Sequence, residues 1–249
     1  DNNGGVHVFF YGTQDQSTMA LYHSVSNDGG ASFSTPNKIS NVKLDLYMLN
    51  QTTYDSIPGV NNQRLYPSNY GSCDPNTGDL YITWTAFGID TDAGNGADIY
   101  FSKSTDGGST WSTPQIINDD PTGSNTHNFF SSIFIDESGK ISLSWYDRRE
   151  DTANINTHYY GTHSTDGGNT WAPNYKITTS PTDFSTVGDQ NQGFGVGEYT
   201  QILSTPSGYN TIPIWADGRT NDGDMNVYIA FMNDQTTGLP EIRAVTDNF

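Results

Sequence analysis

Two segments of the chain combine a tryptophan, an aspartate and an arginine at the same spacing. They are Trp145-Tyr146-Asp147-Arg148-Arg149 and Trp215-Ala216-Asp217-Gly218-Arg219, and both read W-x-D-x-R. An aspartate beside an arginine favours a bidentate ion pair, whereas an arginine without such a partner can bind the carboxylate of a ligand. The sequence therefore leaves two roles open: a contact that holds a strand to its loop, or a site for an anionic ligand.

Two acidic loops carry oxygen ligands of the kind that Ca²⁺ prefers. Residues 90–98 alternate carboxylates with small residues, and residues 221–224 occupy the corresponding loop near the end of the chain. Neither loop has the glutamate at position 12 that an EF-hand requires, so a solvated acidic turn is the alternative. The candidate calcium ligands are Asp90, Asp92, Asp98, Asp222 and Asp224.

Histidine and cysteine offer little further chemistry. The five histidines show no H-x-x-x-H spacing, so the sequence does not suggest zinc. Cys73 is the only cysteine, which permits neither an internal disulfide nor a thiolate cluster. His127 directly precedes a predicted strand. It could bind a ligand or act as an acid in a central channel of the protein, although a histidine at such a position is more commonly a loop residue without a chemical role.

A longer pattern recurs through the chain and accounts for its spacing. Segments that begin at Tyr22, Tyr100 and Tyr160 each have an aspartate six residues later, then Gly-Gly, then an aromatic residue, and a weaker copy begins at Tyr228. The aspartate can accept backbone N–H bonds in a tight turn, glycine supplies positive φ, and the aromatic ring can pack between sheets. We therefore expect a structural role for Ser26, Asp28, Gly30, Phe33, Ser104, Asp106, Gly108, Trp111, Ser164, Asp166, Gly168 and Trp171.

The segments around these turns are typical of short β-strands. Alternating or β-branched runs precede each copy (VHVFFYG, DLYITWTAFG, KISLSWYD and YNTIPIWAD), and further strands are predicted near 64–71, 128–135 and 198–203. No stretch has a helical period over three turns. The sequence thus predicts an all-β fold of repeated four-stranded antiparallel sheets, which suit the blades of a β-propeller. The predicted blades are 1–41 (partial), 64–118, 127–178 and 196–245, with an insertion at 42–63, all in one domain or segment.

The recurring segment resembles the Asp-box, or bacterial neuraminidase repeat (BNR), with the pattern S-x-D-x-G-x-x-W. Two copies, which begin at Ser104 and Ser164, match it in full, and the copy at Ser26 has Phe33 in place of tryptophan. The resemblance covers most of the chain and implies a sialidase-like propeller, usually of six blades, of which about four are visible here. We expect the remainder of a longer polypeptide or a partner chain to complete the ring, with a four-bladed propeller as the alternative. The first residue is Asp1, not Met, as in a processed or partial product.

The same resemblance implies how a catalytic member would work. Sialidases hold the substrate carboxylate with three arginines, attack the anomeric carbon with a tyrosine that a glutamate activates, and protonate the leaving group with an aspartate. The matching candidates are Arg64, Arg149 and Arg219 for the clamp, Glu198 with Tyr199 or Tyr66 for the nucleophile, and Asp147 or Asp217 for the acid. Because adjacent residues of a strand point to opposite faces, Glu198 and Tyr199 do not easily form a pair. The Arg-Ile-Pro sequence that sialidases carry before their first box is absent from these residues.

Composition narrows the partners of this acidic protein. Lys+Arg number 10 and Asp+Glu 28, which gives a net charge of −18 and argues against nucleic acid as a ligand. The chain has 12 Phe, 15 Tyr and 5 Trp, too many aromatic residues for a disordered coil. No apolar run approaches the roughly 18 residues that a membrane span requires, so we expect no direct membrane insertion.

The sequence as a whole favours a secreted or cell-surface protein. The leading hypothesis is a carbohydrate-binding or protein-binding module of a larger extracellular protein, without hydrolase activity, whose partner is a glycan or a surface protein. The first alternative is an exo-acting glycoside hydrolase of the sialidase type. A structural cell-surface component is the second, because fold alone does not decide function.

Overall fold

The computed structural model describes residues 1–13, 18–44, 57, 59–60, 68–90, 96–121, 124–187, 199–204, 211–220, 223, 225–232 and, for the backbone alone, 241–245. These residues form four β-sheets, which follow one another along the chain. The one helix among them is a single 3₁₀ turn at Phe184–Thr186. The described part of the chain has no helix that is long and apolar enough to cross a membrane.

Each sheet is a consecutive antiparallel meander. Sheet 1 contains β1 (Val6–Thr13), β2 (Met19–Ser26) and β3 (Asn37–Asn41). Sheet 2 contains β4 (Tyr70–Cys73), β5 (Leu80–Ala86), β6 (Asp98–Ser104) and β7 (Gln115–Ile116). Sheet 3 contains β8 (Asn128–Ile135), β9 (Ile141–Asp147), β10 (Asn156–Ser164) and β11 (Tyr175–Lys176), and β12 (Thr182–Asp183) also pairs with β10. Sheet 4 contains β13 (Gln201–Leu203), β14 (Ile212–Asp217), β15 (Asn226–Phe231) and β16 (Glu241–Val245).

The observed strands confirm the predicted all-β fold of antiparallel sheets, although sheet 3 has a fifth strand, β12, beside the four that were predicted. The strand predicted at 128–135 is β8. The strand predicted near 198–203 begins later, at Gln201, and the one predicted near 64–71 is seen as Tyr70–Cys73, with residues 61–67 outside the described part.

The three recurring segments that begin at Ser26, Ser104 and Ser164, which we call the boxes, form turns with the same hydrogen bonds. In each turn the serine hydroxyl donates to the aspartate at 2.6–2.8 Å, and the aspartate accepts the backbone N–H four residues later at 2.8–2.9 Å. The hydroxyl groups of Ser32, Thr110 and Thr170 also donate to these carboxylates. Since these bonds stabilise the charged form, they lower the pKa of the three carboxyl groups, that of Asp106 to about 2.

Strand pairing places the four sheets in a common register. Val6, Leu80 and Ile141 pair with the first serine of their respective boxes, which makes Phe10, Trp84 and Trp145 equivalent, with Trp215 the counterpart in sheet 4. We call the face that carries these four residues the leading face of a sheet. The opposite face, which carries Leu21, Ile99, Tyr159 and Val227, is the trailing face.

The core lies between consecutive sheets. One apolar cluster joins Tyr81, Ile99 and Phe101 on the trailing face of sheet 2 to Leu143, Trp145 and Tyr160 on the leading face of sheet 3. At the next junction Tyr159 stacks on Trp215 with ring centroids 5.0 Å apart. Sheets 2 and 3 thus each bury their trailing face against the leading face of the next sheet.

Candidate functional site

The two W-x-D-x-R segments lie at the ends of equivalent second strands. Asp147 is the last residue of β9 and Asp217 is the last residue of β14, so the loops after them leave the same end of their sheets. Because the strands are antiparallel, the box turns, which connect the third and fourth strands, lie at the opposite end. The structural turns and the residues with candidate chemistry are therefore separated by the length of the sheet.

Both motifs fold into the same local structure, which we call the Trp-Asp-Arg lock. The indole Nε1–H of Trp145 donates to Asp147 Oδ2 at 3.0 Å, and that of Trp215 donates to Asp217 Oδ2 at 2.8 Å. In each copy the backbone N–H of the arginine donates to Oδ1 of the same aspartate at 2.9 Å. The two side-chain oxygens of each aspartate are thus already bonded within the motif.

The guanidinium group of Arg149 is bound on every nitrogen. Its Nε and Nη2 donate to Asp147, and Nη1 donates to Asp119. Nη2 also forms an ion pair with Asp120 at 2.9 Å, and the guanidinium carbon lies 4.5 Å from the ring centroid of Tyr160. This arrangement is an ion-pair network within the protein, the first of the two roles that the sequence left open.

Arg219 repeats this arrangement with fewer partners. Its Nη2 donates to Asp217 Oδ2 at 2.5 Å, and its guanidinium carbon lies 4.4 Å from the ring centroid of Tyr228. Thr182 Oγ1 donates to the other oxygen of Asp217 at 2.5 Å. Nε of Arg219 is buried, and none of the described residues accepts a hydrogen bond from it. In both copies the arginine of the motif is therefore held by its own aspartate and stacked on a tyrosine of the third strand.

Burial dominates the electrostatics of the Asp147 lock. It raises the pKa of Asp147 to about 6, against the opposing effect of the bonds from Arg149, and the charge of Asp120 adds to the rise. Burial alone lowers the pKa of Arg149, but its bonds with Asp147 and the charges of Asp147 and Asp120 raise it above its usual value. At neutral pH both groups are charged. Asp147 has no exposed side-chain surface from which to deliver a proton to a substrate.

Arg148, next to this network, is a buried cation. Its Nε donates to Thr157 at 2.9 Å, its Nη1 donates to the carbonyl of Asn154 at 2.5 Å, and it lies over the ring of Phe129. Burial lowers its pKa to about 10, and the charges of Asp183 and Asp151 oppose that effect.

The structure also contains a Tyr–Glu hydrogen bond that the sequence did not indicate. The hydroxyl of Tyr160 donates to Glu150 Oε1 at 2.6 Å, and Lys176 Nζ donates to Oε2 at 2.9 Å. Burial, and then the bond to Glu150, raise the pKa of Tyr160 well above 10. In the sequence, Tyr160 stands out only as the first residue of a recurring segment. The one signal for the pair is that Glu150 directly follows Arg149.

The other candidates for a sialidase-type site are only partly described, so their placement stays a prediction. Arg64, Tyr66 and Glu198 lie outside the described residues. Tyr199 precedes β13 with 79% of its surface exposed. His127 is buried, and its Nδ1 accepts the backbone N–H of Ala97 at 3.1 Å, which places the ring proton on Nε2.

The calcium ligands proposed from the sequence are only partly described. Asp90 accepts two bonds from the amide of Asn41 at 2.8 and 3.1 Å, and Asp98 accepts one from Asn118 at 2.8 Å. Asp92, Asp222 and Asp224 lie outside the described residues. Within the described part of the chain no group of three or more His, Cys, Asp or Glu residues could hold a metal ion.

Comparison with solved structures places these sheets in a known architecture. A Hadza microbial sialidase superposes with a TM-score of 0.53 at 15% identity over 96% of this chain and 44% of its own. An α-L-arabinanase from Penicillium chrysogenum, solved with arabinobiose, gives 0.54 at 14% identity over 99% of this chain and 64% of its own. The fold is a β-propeller. An α-L-arabinofuranosidase from Fusarium graminearum gives 0.51 at 14% identity over 98% and 66%.

These similarities are limited to the fold. The propeller chain spans less than half of the sialidase and less than two thirds of the arabinanase. No protein-family model matches the sequence, and no curated protein matches it significantly. The described sheets are blades of a propeller, and this fold alone assigns no activity to the chain.

Proposed function

We propose that this chain is an extracellular propeller module of the Asp-box type that binds glycans and does not hydrolyse them. The observation that carries the proposal is that both described arginines that could hold a substrate carboxylate are already paired with aspartates. Arg149 and Arg219 are each bound by an aspartate two residues away, and Arg149 is surrounded by two further carboxylates. Arg149, whose guanidinium nitrogens are all bonded, could bind a ligand carboxylate only by leaving the buried Asp147 unpaired, which costs several kcal/mol. Arg219 could offer a ligand only the part of its guanidinium group that Asp217 leaves unbonded.

The fold similarity supports a glycan as the ligand. The propellers that superpose on this chain are described as a sialidase, an arabinofuranosidase and an arabinanase, all of which act on sugars. The exposed ring of Tyr199 supplies a surface on which the C–H face of a sugar can stack, with its hydroxyl as a polar contact. The net charge of −18 favours a neutral glycan over an anionic one, because like charges repel at long range.

Binding can be tested separately from catalysis. Arabinobiose and neutral oligosaccharides on a glycan array, followed by calorimetry of the positive ones, measure binding directly. We expect Tyr199→Ala to weaken the binding by at least about tenfold, or about 1.4 kcal/mol, while the control Val227→Ala, at another exposed site, leaves it unchanged. Glycan binding that is indifferent to Tyr199→Ala would remove this ring from the site.

The absence of hydrolysis is tested with fluorogenic substrates. A sialoside and an α-L-arabinofuranoside, incubated with micromolar protein, should show no turnover above buffer. Turnover that disappears in Arg219→Ala would contradict the proposal. A protein that neither binds nor hydrolyses any glycan would instead point to the structural cell-surface role.

One observation favours the hydrolase of the sialidase type as the second candidate. Tyr160 and Glu150 are within hydrogen-bond distance, with Arg149 against the tyrosine ring, which is the pairing that a tyrosine nucleophile requires. However, Tyr160 is buried and its pKa is raised, and its equivalents Tyr100 and Tyr228 belong to the repeat. If this candidate were correct, Tyr160→Phe and Glu150→Gln would each abolish turnover while the protein remained folded.

A further inference from the structure

Two histidine rings lie against each other where sheet 1 packs on sheet 2. Nδ1 of His7 on β1 and Nε2 of His23 on β2 are 2.8 Å apart, and the two rings are stacked. Both side chains belong to the trailing face of sheet 1, because His23 alternates in register with Leu21 and His7 with Phe9. The ring of His23 packs on Trp111 of sheet 2, with centroids 5.6 Å apart. This histidine pair is therefore part of the junction between the two sheets.

Each end of the pair has a further hydrogen-bond partner. Nε2 of His7 lies 2.8 Å from Oδ2 of Asp1. The ring of His23 bonds to the carbonyl of Gly108, in the box of sheet 2. It fits directly against this glycine, where a Cβ atom would lie 2.0 Å from the ring. Asp1, His7, His23 and Gly108 thus form one continuous chain of hydrogen bonds, which we call the histidine relay.

A local turn places the carboxylate of Asp1 in the relay. Its Oδ1 accepts the backbone N–H groups of Asn3 and Gly5 at 2.9 and 2.7 Å, two and four residues later. Asp136, which precedes the second strand of sheet 3, makes the same two bonds within its own turn. The aspartate is therefore held by the turn that begins the strand, and its second oxygen faces His7.

The relay needs more protons than two neutral rings carry. Each of its three contacts requires one N–H group from a ring, because the carboxylate of Asp1 and the carbonyl of Gly108 only accept hydrogen bonds. Two neutral imidazoles supply two such groups, and one added proton supplies the third and completes the relay. A second added proton would place two N–H groups face to face between His7 and His23, where only 2.8 Å separates the nitrogens.

The surroundings oppose both protonation steps. Burial, and then the amino group of Asp1, lower the pKa of His7 below its usual value of 6.5. Burial, and then the charge of His7, lower the pKa of His23 to about 4, although the bond to Gly108 opposes this effect. Among the described residues, the charged groups that act on the pair are the carboxylate and amino group of Asp1 and the rings themselves. Sheet 2 presents the neutral ring of Trp111 and the backbone of Gly108.

We propose that the histidine relay is an acid-sensitive clamp between sheets 1 and 2. The clamp is closed while the pair holds at most one added proton, and it opens when both rings are charged, because two imidazolium groups cannot keep the bond that joins them. An unfolded chain takes up both protons near pH 6.5, whereas the folded pair resists the second one down to about pH 4. The stability that the clamp contributes is therefore complete above pH 6.5 and is lost as the pH falls through this window.

Nuclear magnetic resonance of the histidine rings tests the coupling between the two groups. The unmodified chain should show two linked titration steps for the pair, the second one near pH 4. His7→Gln keeps a hydrogen-bonding side chain but removes the neighbouring charge, so the pKa of His23 should move up by about 1 pH unit. Two rings that titrate independently near pH 6.5 would overturn the proposal.

Asp1→Asn distinguishes a relay from two rings that are merely packed together. In the neutral unmodified chain both rings should carry their proton on Nε2, because His7 then donates to Asp1 and His23 donates to His7. The amide of the variant can donate to His7, so both protons should move to Nδ1, and two neutral rings then satisfy all three contacts. Nitrogen chemical shifts report the position of each proton. Rings that keep the same tautomer in both proteins would contradict the relay.

Urea unfolding measures what the clamp contributes to stability. Between pH 7 and about pH 4.5, the unfolding equilibrium constant of the unmodified chain should rise by at least about fivefold more than that of His7→Gln. His23→Gln breaks the pair from the other side and serves as a second variant. His163→Gln, on sheet 3, is the matched control and should follow the unmodified chain within about twofold. An equal rise in the unmodified chain and in both variants of the pair would overturn the proposal.

Hydrogen exchange locates the opening within the fold. At acidic pH the backbone amides of β1 and β2 should lose protection before those of β9 and β10, because the clamp joins only sheets 1 and 2. In His7→Gln this difference between the sheets should become smaller. Simultaneous loss of protection in all sheets of the unmodified chain would indicate global unfolding and contradict the proposed opening.

Discussion

Three equivalent tryptophans differ in one hydrogen bond, and this difference predicts unequal costs for the same substitution. The side chains of Trp84, Trp145 and Trp215 are at most 1% exposed. Nε1 of Trp145 and Trp215 donates to an aspartate, whereas the buried Nε1 of Trp84 has no acceptor among the described residues. The cause lies in the sequence, because sheet 2 has Ala86 and Gly88 in place of the aspartate and arginine of the lock.

Replacement of each tryptophan by phenylalanine isolates that bond. All three changes remove similar packing, so this cost is shared. Trp145→Phe also loses a hydrogen bond to a charged group, worth about 1.5–3 kcal/mol. Trp84→Phe removes an unsatisfied donor whose burial costs about 1–3 kcal/mol. The two variants should therefore differ in their free energy of unfolding by at least about 2 kcal/mol, with Trp145→Phe the less stable.

Urea unfolding at pH 7, followed by circular dichroism, measures these differences if the three variants share one m-value. Trp215→Phe serves as an independent repeat and should behave like Trp145→Phe. The reasoning is refuted if Trp84→Phe costs as much as Trp145→Phe within about 0.5 kcal/mol, which is the scatter of neutral substitutions. In that case the indole N–H of Trp84 would have an acceptor in solution.

Three further changes follow from the site and the boxes. Arg149→Met should destabilise the fold by about 3–5 kcal/mol at pH 7 because it leaves Asp147 buried and unpaired. Urea unfolding at pH 5 should show a smaller loss, because burial already raises the pKa of Asp147 to about 6, the loss of Arg149 raises it further, and the carboxyl group is then protonated in the variant. The pKa of Asp106 is lowered to about 2, so its charged form stabilises the fold above pH 4 and this stabilisation is lost as the pH falls towards 2. Over that range the free energy of unfolding of Asp106→Asn should therefore fall less than that of the unmodified chain. Gly108→Ala and Gly30→Ala both place alanine at positive φ, which costs about 1–2 kcal/mol of stability in each variant. Only the alanine at position 108 also meets a neighbouring ring, that of His23, so Gly108→Ala should melt at the lower temperature. Equal melting temperatures would contradict the observed contact.

Much of the fold could be predicted because its signals are local. The turn at Ser104 to Trp111 is held by hydrogen bonds between residues two to four positions apart, so its pattern is visible in eight letters. The same holds for the lock at Trp145, in which the indole and the backbone amide of Arg149 bond an aspartate two residues away. Strand alternation is equally local, and β8 was found at its predicted residues.

Contacts between blades decided the rest. Asp119 and Asp120 reach Arg149 from the link between sheets 2 and 3, about 30 residues earlier, and no spacing rule connects them. The pairing of Arg149 with Asp147 is local, and the tertiary structure added the two further carboxylates. The sequence alone determined which residues form turns, strands and locks, because those bonds close within a few residues. Only the tertiary structure decided that Asp119 and Asp120 join Asp147 around the guanidinium group of Arg149, because that depends on how one sheet packs against the next.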